Sequence, residues 1–389
     1  MAPRSLAPAI AIFLAALLLI ASSSPAASAA RSPPPSTAKH HTQAASDAGT
    51  TKPAPQERDI PAVFAFGDST LDPGNNNRFT TLVRADHAPY GRDFPGAVPT
   101  GRFSDGKLIT DYIVSALGIK DLLPAYHAPG LTHENATTGV SFASGGSGLD
   151  DLTARNAMVS TFSSQIADFQ QLMSRIGEPK ASDVAGKSLF ILSAGTNDVT
   201  TNYYLMPFRL LNFPIIDGYH DYLISAYQSY IQSLYKLGAR RFIVAGMPPV
   251  GCLPVQKSLR GMQPPLSSGK GCFELQNQET QRYNAKLQKM LVALEAESPG
   301  ASFNYVDIYT PLKDMVTNPT KYGFTNVEQG CCGTGMLEMG ALCTSFLPQC
   351  KSPSQFMFFD SVHPTQATYK AIADQIIKNH ISQFTNNRI

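Results

Sequence analysis

The run Ala62-Val63-Phe64-Ala65-Phe66 leads straight into Gly67-Asp68-Ser69-Thr70-Leu71-Asp72. Five apolar residues in succession leave no polar face, as in a strand buried on both sides. Such strands belong to parallel sheets covered by helices. Ser69 therefore stands just past the carboxyl end of a buried strand. Far downstream, Phe359-Asp360-Ser361-Val362-His363-Pro364 places an aspartate three positions before a histidine. Serine is a poor nucleophile until a base takes its proton, and that base needs a third group to hold its tautomer. The two stretches together read as the two ends of a serine hydrolase.

The same strand pattern recurs. Ser188 to Ser193, Arg241 to Ala245 and Phe303 to Ile308 are short and apolar, and Gly139 to Ala143 reads as a further strand. Amphipathic stretches alternate with them. Ser104 to Leu117 reads as a helix with Ser104 as N-cap and Gly118 as stop. Ser163 to Ile176 is a helix ended by Gly177. Leu223, Tyr227, Tyr230, Ile231 and Leu234 share one face of another, ended by Gly238. Gln276 to Glu297 follows. The last helix is expected to begin at Pro364, a favoured first helical position, and to pack Tyr369, Ile372, Ile376 and Ile377. Strands alternating with helices predict one α/β domain over residues 60–385, a three-layer α/β/α with a mainly parallel central sheet. No internal repeat is visible. The loops Gly251 to Gly271 and Gly330 to Pro353 read as surface insertions.

In open parallel sheets, sites form beyond the carboxyl ends of the strands. Ser69 follows the first strand. Gly145 and Gly146 follow the second, in Ser144-Gly145-Gly146-Ser147-Gly148. Asn197 follows the third, in Gly195-Thr196-Asn197-Asp198, and His363 follows Phe356 to Phe359. All four fall on one edge. Ester hydrolysis passes through an oxyanion that needs preorganised donors. A glycine lets the backbone approach, an asparagine side chain donates, and the nucleophile's own amide supplies a third bond. The other polar residues nearby have plainer readings. Asp198 is expected to be structural, and Asp68 and Asp72 to organise the turn around Ser69. Asn75 to Asn77 read as a turn, and His87 and His220 as surface residues. Tyr203, Tyr204, Leu205, Met206, Phe208, Leu210 and Leu211 fit an acyl pocket or ordinary packing equally.

The chain has 389 residues, 43% apolar and 15% charged, with a net charge of +2. That composition permits a large core, and no basic cluster is dense enough for nucleic acid. Arg4, the apolar run Ala9 to Ala21 and the small residues Ala27-Ser28-Ala29 form the pattern of a secretory signal peptide, residues 1–29. The run is too short for a bilayer span of about 20 residues, so no membrane segment is expected in the mature chain. Residues 30–59 lack Val, Leu, Met and aromatic residues and read as a disordered Pro/Ala/Ser-rich linker. Six cysteines, Cys252, Cys272, Cys331, Cys332, Cys343 and Cys350, are an even set in a secreted chain and point to disulfides. Cys252 with Cys272 closes a short loop. Cys331 and Cys332 then pair with Cys343 and Cys350 in an order left open. Their spacing fits no common zinc pattern. Asn135-Ala136-Thr137 is a glycosylation sequon.

Gly-Asp-Ser near the start, a Gly-rich second block, Gly-x-Asn-Asp and Asp-x-x-His-Pro resemble the GDSL-type SGNH hydrolases. Longer stretches are similar to the plant secreted GDSL esterases/lipases. They include Asp72-Pro73-Gly74-Asn75-Asn76-Asn77, Pro89-Tyr90-Gly91-Arg92-Asp93-Phe94-Pro95 and Pro99-Thr100-Gly101-Arg102-Phe103-Ser104-Asp105-Gly106. Ile119-Lys120-Asp121-Leu122-Leu123-Pro124-Ala125-Tyr126 looks like the extracellular lipase branch. The resemblance covers about residues 60 to 385. It implies a flavodoxin-like sheet with Ser69 as nucleophile, His363 as base and Asp360 as its partner. The oxyanion hole would combine Ser69, Gly146 and Asn197, with Gly145 replacing Gly146 after a one-residue shift. Ser141 stands where relatives often carry asparagine, and Pro73 is less usual after Asp72. The implied activity is cleavage of carboxylic esters, lipid acyl esters first, by a secreted enzyme without metal or organic cofactor. Its partner is a small-molecule or lipid ester. A carbohydrate deacetylase or acyltransferase would use the same triad, and an ester-binding protein without turnover is the non-enzymatic alternative. The α/β-hydrolase pentapeptide Gly-x-Ser-x-Gly does not occur.

Overall fold

A computed structural model describes residues 59–206, 208–261 and 271–385. The expected signal peptide and, Asp59 apart, the linker lie outside the described residues. The central sheet holds four parallel strands in the order β1 (Val63–Gly67), β2 (Leu189–Ser193), β3 (Arg241–Ala245) and β4 (Ser302–Val306). The helices are α1 (Ile109–Ala116), α2 (His133–Thr137), α3 (Asp151–Ala157), α4 (Phe162–Ile176), α5 (Lys180–Lys187), α6 (Ile216–Lys236), α7 (Pro254–Gly261), α8 (Glu274–Glu297), α9 (Tyr309–Thr317) and α10 (Gln366–Ile376).

Side chains alternate across a strand, so each strand feeds two faces. One face is aromatic: Phe64 and Phe66 from β1, Phe190 from β2, Phe242 from β3 and Phe303 from β4 are buried against α4, α6 and α8. Phe169 of α4 stands edge-on to Phe64, Phe66 and Phe190, with ring centroids 5.2, 5.8 and 5.4 Å away. The other face is aliphatic: Val63, Ala65, Leu189, Ile191, Ile243 and Val306 meet α1, α9 and α10. Both faces are covered, as the three-layer expectation requires.

Four details differ from the sequence reading. The stretch 139–143 runs beside β1 through Ala65 N to Val140 O, Phe142 N to Ala65 O and Ser144 N to Gly67 O, yet forms only isolated bridges. Asn75 Nδ2 takes the carbonyls of Ser141 and Ala143, both at 2.8 Å, in place of a neighbouring strand. The helix expected from Ser104 begins at Ile109. Arg102 forms a buried two-point ion pair with Asp111, and Asp111 caps the Leu108 amide at 2.9 Å, so the helix starts after Leu108 and residues 103–106 form bends. The last helix is capped by Thr365, whose hydroxyl accepts from the Thr368 amide, while Pro364 bridges to Phe358. Finally, Phe356 to Phe358 is not an edge of the central sheet. It forms β6 and pairs in parallel with β5 (Asn326–Gly330) in a separate two-stranded sheet.

The three disulfides are Cys252–Cys272, Cys331–Cys350 and Cys332–Cys343. The last two resolve the pairing that spacing left open. The loops they staple are not wholly on the surface. Pro254 to Ser258 is buried, and so is Gly340.

Candidate active site

Ser69 lies in the turn after β1, closed by the Leu71 amide donating to Asp68 O at 3.1 Å. The turn is possible because Gly67 adopts φ 142° and passes so close to β2 that a Cβ would stand 1.9 Å from Ser193 O. Gln165 of α4 clamps the same residue from both sides, accepting from Gly67 N at 2.8 Å and donating to Gly67 O at 2.9 Å. Asp68 turns its carboxylate back onto the Thr70 amide and hydroxyl. Burial pushes its pKa up, against the pull of those donors.

His363 arrives from the β6 side. Its Nε2 lies 2.8 Å from Ser69 Oγ, and its Nδ1 lies 2.6 Å from Asp360 Oδ2. The three residues that sequence reasoning paired are thus joined in one buried line. The Asp360 carboxylate has four donors around it. Oδ1 accepts from Val362 N at 2.8 Å and His363 N at 2.7 Å. Oδ2 faces His363 and also accepts from the Tyr90 hydroxyl at 2.7 Å. The Tyr90 oxygen in turn accepts from Gly340 N at 2.8 Å. Burial, and then the Asp360 charge, hold the Tyr90 phenol far above its ordinary pKa, so it remains a donor. Phe103 closes the other side, its ring centroid 4.8 Å from that of His363.

Tyr90 and Gln165 are the residues that sequence reading missed as site components. Tyr90 sits in the Pro89-Tyr90-Gly91 block, already singled out as a match, but nothing local ties it to Asp360. Gln165 occupies the buried stripe of α4, where a glutamine among Phe162, Ile166 and Phe169 was the available signal.

The oxyanion candidates converge as well. Asn197 follows β2 and donates Nδ2 to Ser147 O at 2.9 Å, which leaves its second amide hydrogen for another acceptor. The choice between Gly145 and Gly146 turns on one bond. Gly145 N is committed to Asp72 Oδ2 at 2.9 Å, whereas among the described residues the Gly146 amide has no acceptor. The Ser69 amide has none either. Asp72 also accepts from Gly74 N and Asn75 N, and burial pushes it up to about 6. Asn76 Nδ2 holds Gly145 O at 2.8 Å. Asp72, Asn75 and Asn76 therefore peg the glycine loop in place. Asp198 accepts from Leu149 N, Asp150 N and the Thr153 hydroxyl, away from Ser69, and burial pushes it up to about 7.

An apolar cavity opens at Ser69, His363 and Asn197 and runs inward under the aliphatic face of the sheet. The apolar run after Asn197 does not line it. Tyr203 is buried in the aromatic core, while Phe208, Leu210 and Leu211 are exposed. His220, read as a surface residue, is buried on α6 against the ring of Tyr283, because it falls on the helical stripe of Tyr219, Leu223 and Tyr227. Asn135 is exposed on α2.

A parallel α/β/α sheet with serine and histidine meeting above its carboxyl edge places the molecule among the hydrolases of this architecture. The GDSL-like Lipase/Acylhydrolase family model matches residues 63–376, and the chain belongs to that family. It is 42% identical over 338 residues to GDSL esterase/lipase At2g31550 of Arabidopsis thaliana, covering 86% of this chain and 91% of the relative. It is 44% identical over 319 residues to GDSL esterase/lipase At2g40250 of the same plant, covering 81% and 88%. The protein is a carboxylic ester hydrolase of the plant GDSL esterase/lipase group. Among the described residues no helix is long and apolar enough to cross a membrane.

Proposed function

We propose that this chain is a secreted serine hydrolase that cleaves lipid acyl esters through an acyl-enzyme on Ser69. The observation that carries the reading is the buried line from Ser69 through His363 to Asp360, beside three donors free to meet an oxyanion. With its proton on Nδ1 facing Asp360, His363 accepts the Ser69 proton at Nε2 as Oγ attacks the ester carbonyl carbon. The carbonyl oxygen becomes an oxyanion facing Ser69 N, Gly146 N and Asn197 Nδ2. Collapse breaks the bond to the alcohol, which leaves with the proton from His363. Water then attacks the acyl-enzyme, again giving its proton to His363, and the acid departs as Ser69 recovers its proton. Asp360 holds the ring through Nδ1 and stabilises the imidazolium.

Secretion is supported by the signal-peptide pattern at 1–29 and by three disulfides, which persist in oxidising compartments. Residues 30–59 would then link the leader to a catalytic domain over 60–385, with Asn135 as an exposed glycan acceptor. A lipid substrate is supported by the apolar cavity that opens at Ser69.

The test is labelling with a fluorophosphonate followed by peptide mapping. Ser69 should carry the label, and labelling should weaken in acid because protonated imidazole cannot accept the serine proton. Asn197→Ala should lower kcat by about 100- to 1000-fold, or about 3–4 kcal/mol, with KM little changed. Label on another serine would overturn the nucleophile. No label and no turnover would favour an ester-binding protein, and turnover confined to acetyl esters of a polysaccharide would favour the deacetylase.

A further inference from the structure

We infer that the acyl chain of the substrate is threaded inward, between the aliphatic face of the central sheet and α10, through a channel with a second mouth. The inference rests on Ser69 being the nucleophile and adds where the chain goes and what length it has. The cavity that opens at Ser69 passes Ile191 of β2, Ile243 of β3 and Val306 of β4, with Ile372 and Ile376 of α10 as the opposite wall. It therefore crosses the sheet from the β1 end to the β4 end. A second cleft lies there, and Val306, Ile308, Ile372 and Ile376 line both. The second cleft also has polar walls, Asp307, Gln375 and Asn379 among them.

The lining decides the occupant. A sugar ring would bring hydroxyls against Ile and Val side chains and leave them without partners. A polymethylene chain loses nothing there and gains about 0.8 kcal/mol for each methylene removed from water. The channel wall is made of side chains that alternate to one face of each strand, so it is as long as the sheet is wide. Three strand spacings of about 4.8 Å give about 14 Å, roughly the reach of an extended acyl chain of about a dozen carbons. A shorter chain stops inside the channel. A longer one reaches the junction lined by Ile308 and Ile376 and continues into the second cleft.

The test places a plug at that junction from each wall, Ile308→Trp from the sheet side and Ile376→Trp from α10. Turnover is measured on p-nitrophenyl acetate, octanoate and palmitate. Both plugs should lower kcat/KM on palmitate by at least about tenfold while acetate and octanoate keep their wild-type values. Ile376→Ala, which cannot overpack, should open the junction and raise the palmitate-to-octanoate ratio. A ratio unchanged in all three variants would overturn the channel and leave the chain on the outer surface. Ser69→Ala separates the two readings: acetate turnover surviving that change would remove the nucleophile, whatever the plugs do to palmitate.

Discussion

On one face of the central sheet, Phe64, Phe66, Phe190, Phe242 and Phe303 interlock with the rings of Phe162, Phe169 and Tyr227 from the covering helices. On the other, Val63, Ala65, Leu189, Ile191 and Ile243 meet branched aliphatic residues of α1, α9 and α10, and a cavity remains between them. Both faces are built from the same four strands, one residue apart. The rings meet edge to face with centroids 5.2 to 5.8 Å apart around Phe169, whereas the aliphatic side chains of this sheet leave a cavity against the helices that cover them. The aromatic face is thus a scaffold and the aliphatic face a receptacle. The candidate catalytic groups sit on the edge that both faces share, where Gly67 and Gln165 tie the Ser69 turn to the aromatic side and β6 brings His363 from the aliphatic side.

That division breaks if a scaffold change alters selectivity. Phe169→Ala removes the ring that three strand phenylalanines share, and should cost about 3–5 kcal/mol of unfolding free energy. Urea titration would measure it. The palmitate-to-octanoate ratio of the folded variant should match the wild type, and a changed ratio would mean that the two faces are not independent.

Tyr90 tests the shared edge. Tyr90→Phe removes a hydrogen bond to a charged carboxylate, worth about 1.5–3 kcal/mol, and should lower kcat about ten- to a hundredfold with KM little changed. Steady-state kinetics on a short ester would read it. Unchanged kcat would leave Tyr90 as packing against Phe103 and Phe359 alone.

The smallest effect concerns pH and lies on the scaffold. Burial, and then the nearby Lys286 charge, push His220 down to about 4. Between its ordinary value and about 4, the unfolded chain binds a proton that the native state refuses. Its contribution to stability is therefore full above the ordinary histidine range and is lost as pH falls. Relative to the wild type, His220→Leu should gain about 1–2 kcal/mol at about pH 5.5 compared with neutral pH. Thermal melts at the two pH values would show it. Equal differences at both would mean that His220 titrates alike folded and unfolded.

Much of this design is local and was readable in the residues. Apolar runs without a polar face mark the four central strands, so the layers and the edge where Ser69 and Asn197 stand could be read from spacing, whereas Gly146 was placed on that edge by reading 139–143 as a strand, which forms only isolated bridges beside β1. Asp360 and His363, three residues apart, could be paired because one turn holds both. What only the tertiary structure decided is everything joined by distant segments. Tyr90 meets Asp360 across 270 residues of chain, Gly340 reaches Tyr90 through a disulfide-stapled loop, and β6 leaves the central sheet to pair with β5. That the Gly146 amide rather than that of Gly145 is left without an acceptor among the described residues depends on Asp72 having taken the Gly145 amide. The cavity is of the same kind: its walls are apolar in the sequence, but a void is a property of how four strands and three helices fail to fill space together, and no single segment encodes it.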